Sequence, residues 1–274
     1  MMTWPLRIEL RRWARQNEKR SINDMLYKFL CVLCWLSLTF TSTLAQSPYE
    51  INPVLDYSMA GGLTLNSLGA HYYQAQVTPL VQQDLLALDA DDIWRFDRVA
   101  TTAWRPTAGH LSDLGLYPAM IAPVGLLLGQ DVRNNWGQHL LLYWETLTLI
   151  DGLTTWTKSL ALRNRPFNYY YANTYPNHPP DLEAAVLESD ARFSFFSGHT
   201  SFTAASSFFF AKTFHDYYPN SPARPWVWAG AALLPALVGY LRVRAGKHYP
   251  TDVMAGYLIG AAVGFGVPAL HRRR

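Results

Sequence analysis

The chain has 274 residues and a formal net charge of +3, with 14% aromatic and only 16% charged residues. That length holds one large domain or two small ones, and no linker, repeat or low-complexity run divides residues 46–274, so a single domain is expected there. Basic residues gather in the first 20 positions, in the Arg272–Arg274 tail and in short clusters rather than on a broad face, which argues against nucleic acid as a partner.

Residues 1–45 read as an address. Arg7, Arg11, Arg12, Arg15, Lys19 and Arg20 precede the apolar run Leu26–Phe40, and Thr43-Leu44-Ala45 offers the small residues an export peptidase prefers. Met25 provides a second start, because Met25-Leu26-Tyr27-Lys28 already makes a sufficient leader. The segment is a signal peptide or an uncleaved signal anchor. Either places the rest of the chain outside the cytoplasm. Cys31 and Cys34 fall within this leader and are the chain's two cysteines, so no disulfide is expected in the domain.

Apolar runs punctuated by Pro, Gly and Asn predict helices over 58–76, 79–98, 113–129, 135–163, 199–214, 226–243 and 250–269. The second carries Asp84, Asp89, Asp91 and Asp92 and predicts a solvated acidic side. Strand-like alternation is scarce, so the fold class is all-α, a bundle of about six core helices. Residues 253–270 carry no charge and hold Gly256, Gly260 and Gly264, a spacing that lets helices approach closely in lipid. Several runs fall short of the roughly 20 apolar residues a span needs, and the mean hydropathy is −0.04, so a soluble bundle competes with a membrane one. If the long helices alternate in direction, Arg133, the Lys212–Arg224 turn and the Arg272–Arg274 tail share one side. Positive charge marks that side as cytoplasmic, in agreement with the leader, and membrane association is the favoured reading.

Three clusters in the second half combine into one phosphate-handling inventory. Lys158 and Arg165 lie seven apart, about two helical turns, and are expected on nearly the same face of a helix that Pro166 ends. Lysine brings a point charge and arginine a planar fork, although two cations at a helix C-terminus also suit the dipole alone. Ser197-Gly198-His199 opens a helix, where free N–H groups bind anions and glycine admits close approach; Ser197 is equally a good N-cap. Arg242 precedes His248 and Asp252, whose spacing of four lets a helical carboxylate reach the ring. Such a pair fixes the imidazole tautomer and frees the other nitrogen as a nucleophile. A His/Asp metal pair is the alternative, but no further ligand shows suitable spacing, so no metal is expected.

Jointly the clusters follow the pattern K-x6-R-P, P-S-G-H and S-R-x5-H-x3-D. The chain therefore resembles the type 2 phosphatidic acid phosphatase (PAP2) superfamily, which includes bacterial class A acid phosphatases and vanadium haloperoxidases. The resemblance covers Lys158 to Asp252 plus a final helix, and residues 1–135 carry no part of it. Phe196 stands where the pattern has proline and Leu241 where it has serine. Both lie outside the groups that touch phosphate, so they bear on substrate fit more than on chemistry.

The resemblance implies that His248 attacks phosphorus to give a phosphohistidine, with Asp252 orienting it. His199 protonates the leaving alkoxide, and Lys158, Arg165, Ser197, Gly198 and Arg242 hold the phosphate oxygens without a metal. The expected activity is hydrolysis of a phosphomonoester or diphosphate, with a lipid phosphate favoured. A vanadate-dependent haloperoxidase and a soluble periplasmic acid phosphatase are the alternatives. His110, Ser112 and Asp113 are expected to cap a helix, and Glu145 and Asp151 either to support the motif cations or to face solvent. Loop 167–193 is expected to line the entrance. His71, His139, His178, His215 and His271 receive no role.

Overall fold

The computed structural model describes residues 47–273. The leader, with Cys31, Cys34 and the expected peptidase site, lies outside the described residues. Ten α-helices run through them in order: α1 Pro53–Gln74, α2 Gln82–Leu86, α3 Pro106–Gly125, α4 Gln130–Arg133, α5 Trp136–Ala161, α6 Pro166–Thr174, α7 Pro180–Val186, α8 Gly198–Tyr217, α9 Arg224–Arg244 and α10 Pro250–Leu270. The described residues contain no β-strand, only an isolated antiparallel bridge between Tyr49 and Arg272. The fold is all-α.

Proline sets several starts, because its missing N–H falls where a helix leaves N–H groups unpaired. It does so at Pro53, Pro106, Pro166, Pro180 and Pro250. Two expectations need correction. The helix expected over 79–98 shrinks to α2 and short 3₁₀ turns. There the Asp89 carboxylate accepts from the Asp91 amide at 2.8 Å, and Arg98 donates to Asp91 and Ile93, so local capping outcompetes helix propagation. The helix expected from 113 starts seven residues earlier at Pro106, which puts His110, Ser112 and Asp113 inside α3 instead of at its cap.

α8 lies at the centre, packed by α3, α5, α9 and α10. Its buried face consists of small residues, Thr200, Ser201, Thr203, Ala204, Ala205, Ser206 and Ser207. Their hydroxyls find partners close by, as when Thr203 donates to the His199 carbonyl at 2.7 Å, so a polar sequence packs tightly without unmet hydrogen bonds. The Gly256, Gly260, Gly264 stripe of α10 faces this helix. A Cβ on Gly260 would stand 2.2 Å from the Ser201 carbonyl oxygen, so only glycine admits the approach.

Three helical segments are long and apolar enough to cross a membrane, Pro106–Leu128, Arg224–Arg244 and Pro250–Leu270. Only 28% of each is buried, and Leu114, Ile121, Leu233 and Leu258 point outward. α5 and α8 sit behind them. Five antiparallel long helices bring the C-termini of α5 and α9 and the N-termini of α3, α8 and α10 to one end of the bundle.

Candidate active site

At that end the backbone itself joins two of the clusters, since the Ser197 amide donates to the Asp252 carbonyl at 3.0 Å. The turn from α9 to α10 aims His248. Gly246 adopts φ +72°, and a Cβ there would lie 2.0 Å from the Ala103 carbonyl oxygen, so this turn requires glycine. His248 is buried, and its Nδ1 donates to the Ser194 carbonyl at 2.7 Å. Its Nε2 accepts from Arg165 Nη1 at 3.1 Å. An arginine only donates, so these two partners together fix the neutral tautomer with the Nε2 lone pair directed at the Arg165 cation. Burial first, then Arg165, Arg242 and Lys158, push the imidazole well below its ordinary pKa.

Asp252 stands differently from the expected orienting role. Its Oδ2 is 3.5 Å from His248 Nδ1, whereas it accepts from Ser194 Oγ at 2.5 Å and from the Tyr249 amide at 2.9 Å. Its Oδ1 pairs with Arg163 Nη1 at 2.5 Å. Asp252 therefore caps α10 and holds the Ser194 segment, whose carbonyl in turn fixes the ring. Arg163 also pairs with Asp97 at 2.7 Å, and its guanidinium lies 4.0 Å over the Tyr249 ring.

The cations converge on the same point. Four of the five N–H groups of Arg165 are engaged, with the Asp190 carbonyl, Asp190 Oδ1, the Lys247 carbonyl and His248 Nε2. The chain leaves α5 after Ala161 and Arg165 precedes α6, so Lys158 and Arg165 meet by a turn and not on one continuous helix. Lys158 Nζ reaches the start of α8, 3.4 Å from where a Gly198 Cβ would be. Free amides there add a positive field to the lysine charge. Ser197 Oγ accepts from the Thr200 amide at 3.4 Å and so caps α8. Arg242 is buried at the end of α9, its Nη1 donating to Ser112 Oγ at 3.4 Å and its Nε without a hydrogen-bond partner. Lys247 sits against the Trp104 and Phe167 rings, and burial with Arg165 beside it brings its pKa down to about 8.

His199 is in the first turn of α8, with Nε2 2.8 Å from Asp113 Oδ1. His199 thus has a carboxylate within hydrogen-bond reach, and Arg242 and Lys158 lie close enough to act on its ring. Several of these groups carry no sequence signal. Asp113 and Ser112 lie inside α3 and not at the cap expected of them, and Asp97, Arg163, Asp190, Ser194, Gly246 and Lys247 belong to no spaced motif. Loop 167–193 contains α6 and α7, and its Asp190 reaches Arg165. Asp151 does not support the motif cations but accepts from Ser67 and lies 2.9 Å from His71 Nε2. Glu145 neither faces solvent nor meets a motif cation, being buried near Asp56 and His271.

A convergent set of three cations, a helix N-terminus and two imidazoles, one hydrogen-bonded to a carboxylate, is chemically suited to a tetrahedral oxyanion. No curated protein and no solved structure matches the chain. The family model described as the PAP2 superfamily matches residues 139–274, a stretch that runs from the first turn of α5 through α10 and contains all three clusters, and the chain belongs to that superfamily.

Proposed function

We propose that the protein is a phosphatase that hydrolyses a phosphomonoester or diphosphate through a phosphohistidine, with a phosphorylated lipid as the favoured substrate. The observation that carries this reading is the state of His248, a neutral ring with Nδ1 donated away and Nε2 presented to Arg165. In the first step Nε2 attacks phosphorus and the P–O ester bond breaks. The leaving oxygen takes a proton from His199, which Asp113 holds in place. Water then attacks phosphorus, gives its proton to His199, and the P–N bond breaks to release phosphate and free His248. Lys158, Arg165, Arg242 and the amides at the start of α8 stabilise the equatorial oxygens, the part a divalent ion plays in other phosphoryl-transfer sites.

The lipid preference rests on the position of this pocket, at the ends of α3, α9 and α10, the three described helices long and apolar enough to cross a membrane. A phosphate at the mouth of such helices leaves its hydrophobic chain beside their exposed apolar side chains. Arg133 in α4 and Arg224 at the start of α9 lie at the other end, which supports a pocket facing outside the cytoplasm.

The test is phosphate release from a panel containing phosphatidic acid, a polyprenyl diphosphate and a soluble aryl phosphate, with His248→Ala as control and vanadate as inhibitor. Lipid-selective release, abolished in His248→Ala and blocked by vanadate, is expected. Release from none of them, with halide oxidation by peroxide once vanadate is added, would replace this reading with a haloperoxidase.

A further inference from the structure

At the opposite end of the bundle lies a second cluster that the chemistry above does not use. Glu145 is 13 residues from Lys158 along α5, about 20 Å along the helix axis. Its side chain is 2% exposed, and neither carboxylate oxygen has a hydrogen-bond partner. Asp56, in the first turn of α1, is 3% exposed, and His271 follows the last turn of α10. His271 Nε2 lies 3.4 Å from Asp56 Oδ1 and 3.8 Å from Glu145 Oε2, and the three donor atoms fall within 4.8 Å of one another.

We propose that Asp56, Glu145 and His271 bind one divalent transition-metal ion of the Zn²⁺ class, in a structural site separate from the phosphate pocket. An ion about 2.1 Å from each donor separates tetrahedral ligand atoms by about 3.4 Å, which these spacings approach without rearrangement of the backbone. The groups behind the donors are already arranged. His271 Nδ1 donates to the Val267 carbonyl at 2.8 Å, which leaves the Nε2 lone pair for a metal. Asp56 Oδ2 accepts from the Asn52 amide at 2.8 Å, which leaves Oδ1, 3.4 Å from His271 Nε2, as the oxygen that faces the site. Glu145 supplies the third donor, and a cation there would satisfy a buried carboxylate that has no hydrogen-bond partner of its own. An imidazole in the set favours zinc-like ions over magnesium or calcium, and a fourth position stays open to water.

The site joins three distant parts of the chain. Beside it the Glu50 amide donates to the His271 carbonyl at 2.8 Å and the Arg273 amide to the Pro48 carbonyl at 2.9 Å. A metal there fastens the start of α1 and the end of α10 to the middle of α5.

The full chain, stripped with chelator and titrated with Zn²⁺, provides the test, read by metal content per chain and by Tm. One equivalent of zinc should be retained, and Tm should rise by roughly 5–10 °C at free zinc a hundredfold above Kd. Mg²⁺ and Ca²⁺ at that concentration should leave Tm unchanged. Glu145→Gln and His271→Ala should each abolish the zinc-dependent rise. The metal-free Tm of Glu145→Gln should equal or exceed that of the wild type, because a buried unpaired charge is gone. Failure of the wild-type chain to retain zinc overturns the proposal, as does an equal zinc shift in the wild type and both variants, or an equal shift with Mg²⁺. None of these readouts depends on phosphatase activity.

Discussion

Replacement of Asp252 by asparagine separates two accounts of how His248 is controlled. In a serine-protease triad the same exchange costs about 10⁴ in kcat, because the carboxylate alone sets the imidazole tautomer. Here the tautomer is set by the Ser194 carbonyl on Nδ1 and by Arg165 on Nε2. What Asp252 adds is charge. At 3.5 Å from Nδ1, a carboxylate and a positively charged phosphohistidine ring attract by about 5 kcal/mol at an effective dielectric near 20. Arg163, at 2.5 Å from the other oxygen, offsets roughly half of that, which leaves about 2–3 kcal/mol, or a fall in kcat of about 30- to 150-fold. Rapid-quench measurement of the phosphohistidine burst, with Tm followed in parallel to confirm folding, reads the chemical step directly. A loss near 10⁴ would show that Asp252 governs the tautomer after all. A loss under about threefold would remove its electrostatic role.

The pH profile of kcat/KM follows from His248, whose folded-state pKa lies well below 6.5. The proposed nucleophile stays neutral at mildly acidic pH, so the acid limb should fall well below pH 6.5, and a limb at 7 or above would contradict the assignment. The same shift makes folding less favourable as pH drops below 6.5, because the unfolded chain binds a proton that the folded ring resists; Tm measured against pH checks the sign. Asp190→Asn removes the carboxylate charge that competes for Arg165, and since Asp190 is about half exposed the gain is modest, up to about fivefold tighter inhibition by vanadate. Weaker inhibition would mean that Asp190 positions the arginine instead of competing for it. Gly260→Ala places a Cβ against the Ser201 carbonyl and should cost about 1–3 kcal/mol, while Gly266→Ala meets nothing within 4 Å and should be neutral or slightly stabilising. Equal Tm values for the two variants would refute the close packing of α8 on α10.

Much of the candidate site is legible in the sequence because its proposed members are spaced by short, fixed intervals. Lys158, Arg165, Ser197, Gly198, His199, Arg242, His248 and Asp252 stand within three such runs, and a run can be recognised one residue at a time. The supporting groups have no such signature. Asp113 reaches His199 across 86 positions, Asp97 reaches Arg163 across 66, and Ser194 reaches Asp252 across 58. Each is fixed only when the helices pack. The acidic stretch 79–98 misled for the opposite reason. Its apolar positions suit a helix, but Asp89 and Asp91 satisfy local backbone and arginine donors first, and a pattern of hydrophobicity cannot register that competition.

The spacing of His248 and Asp252 also shows where pattern reading needs structure. A carboxylate four residues after a histidine at a helix start can turn toward the ring or back toward the amide at the head of its own helix. Asp252 does the second, and its other oxygen takes Arg163. The ring is then held by the carbonyl of Ser194, whose hydroxyl donates to the same carboxylate. One acidic side chain thereby couples the nucleophile's segment to the turn that opens α8 and to Arg163 at the exit of α5. Loss of Asp252 should loosen all three contacts together, so its cost in stability should exceed that of losing Ser194 Oγ alone.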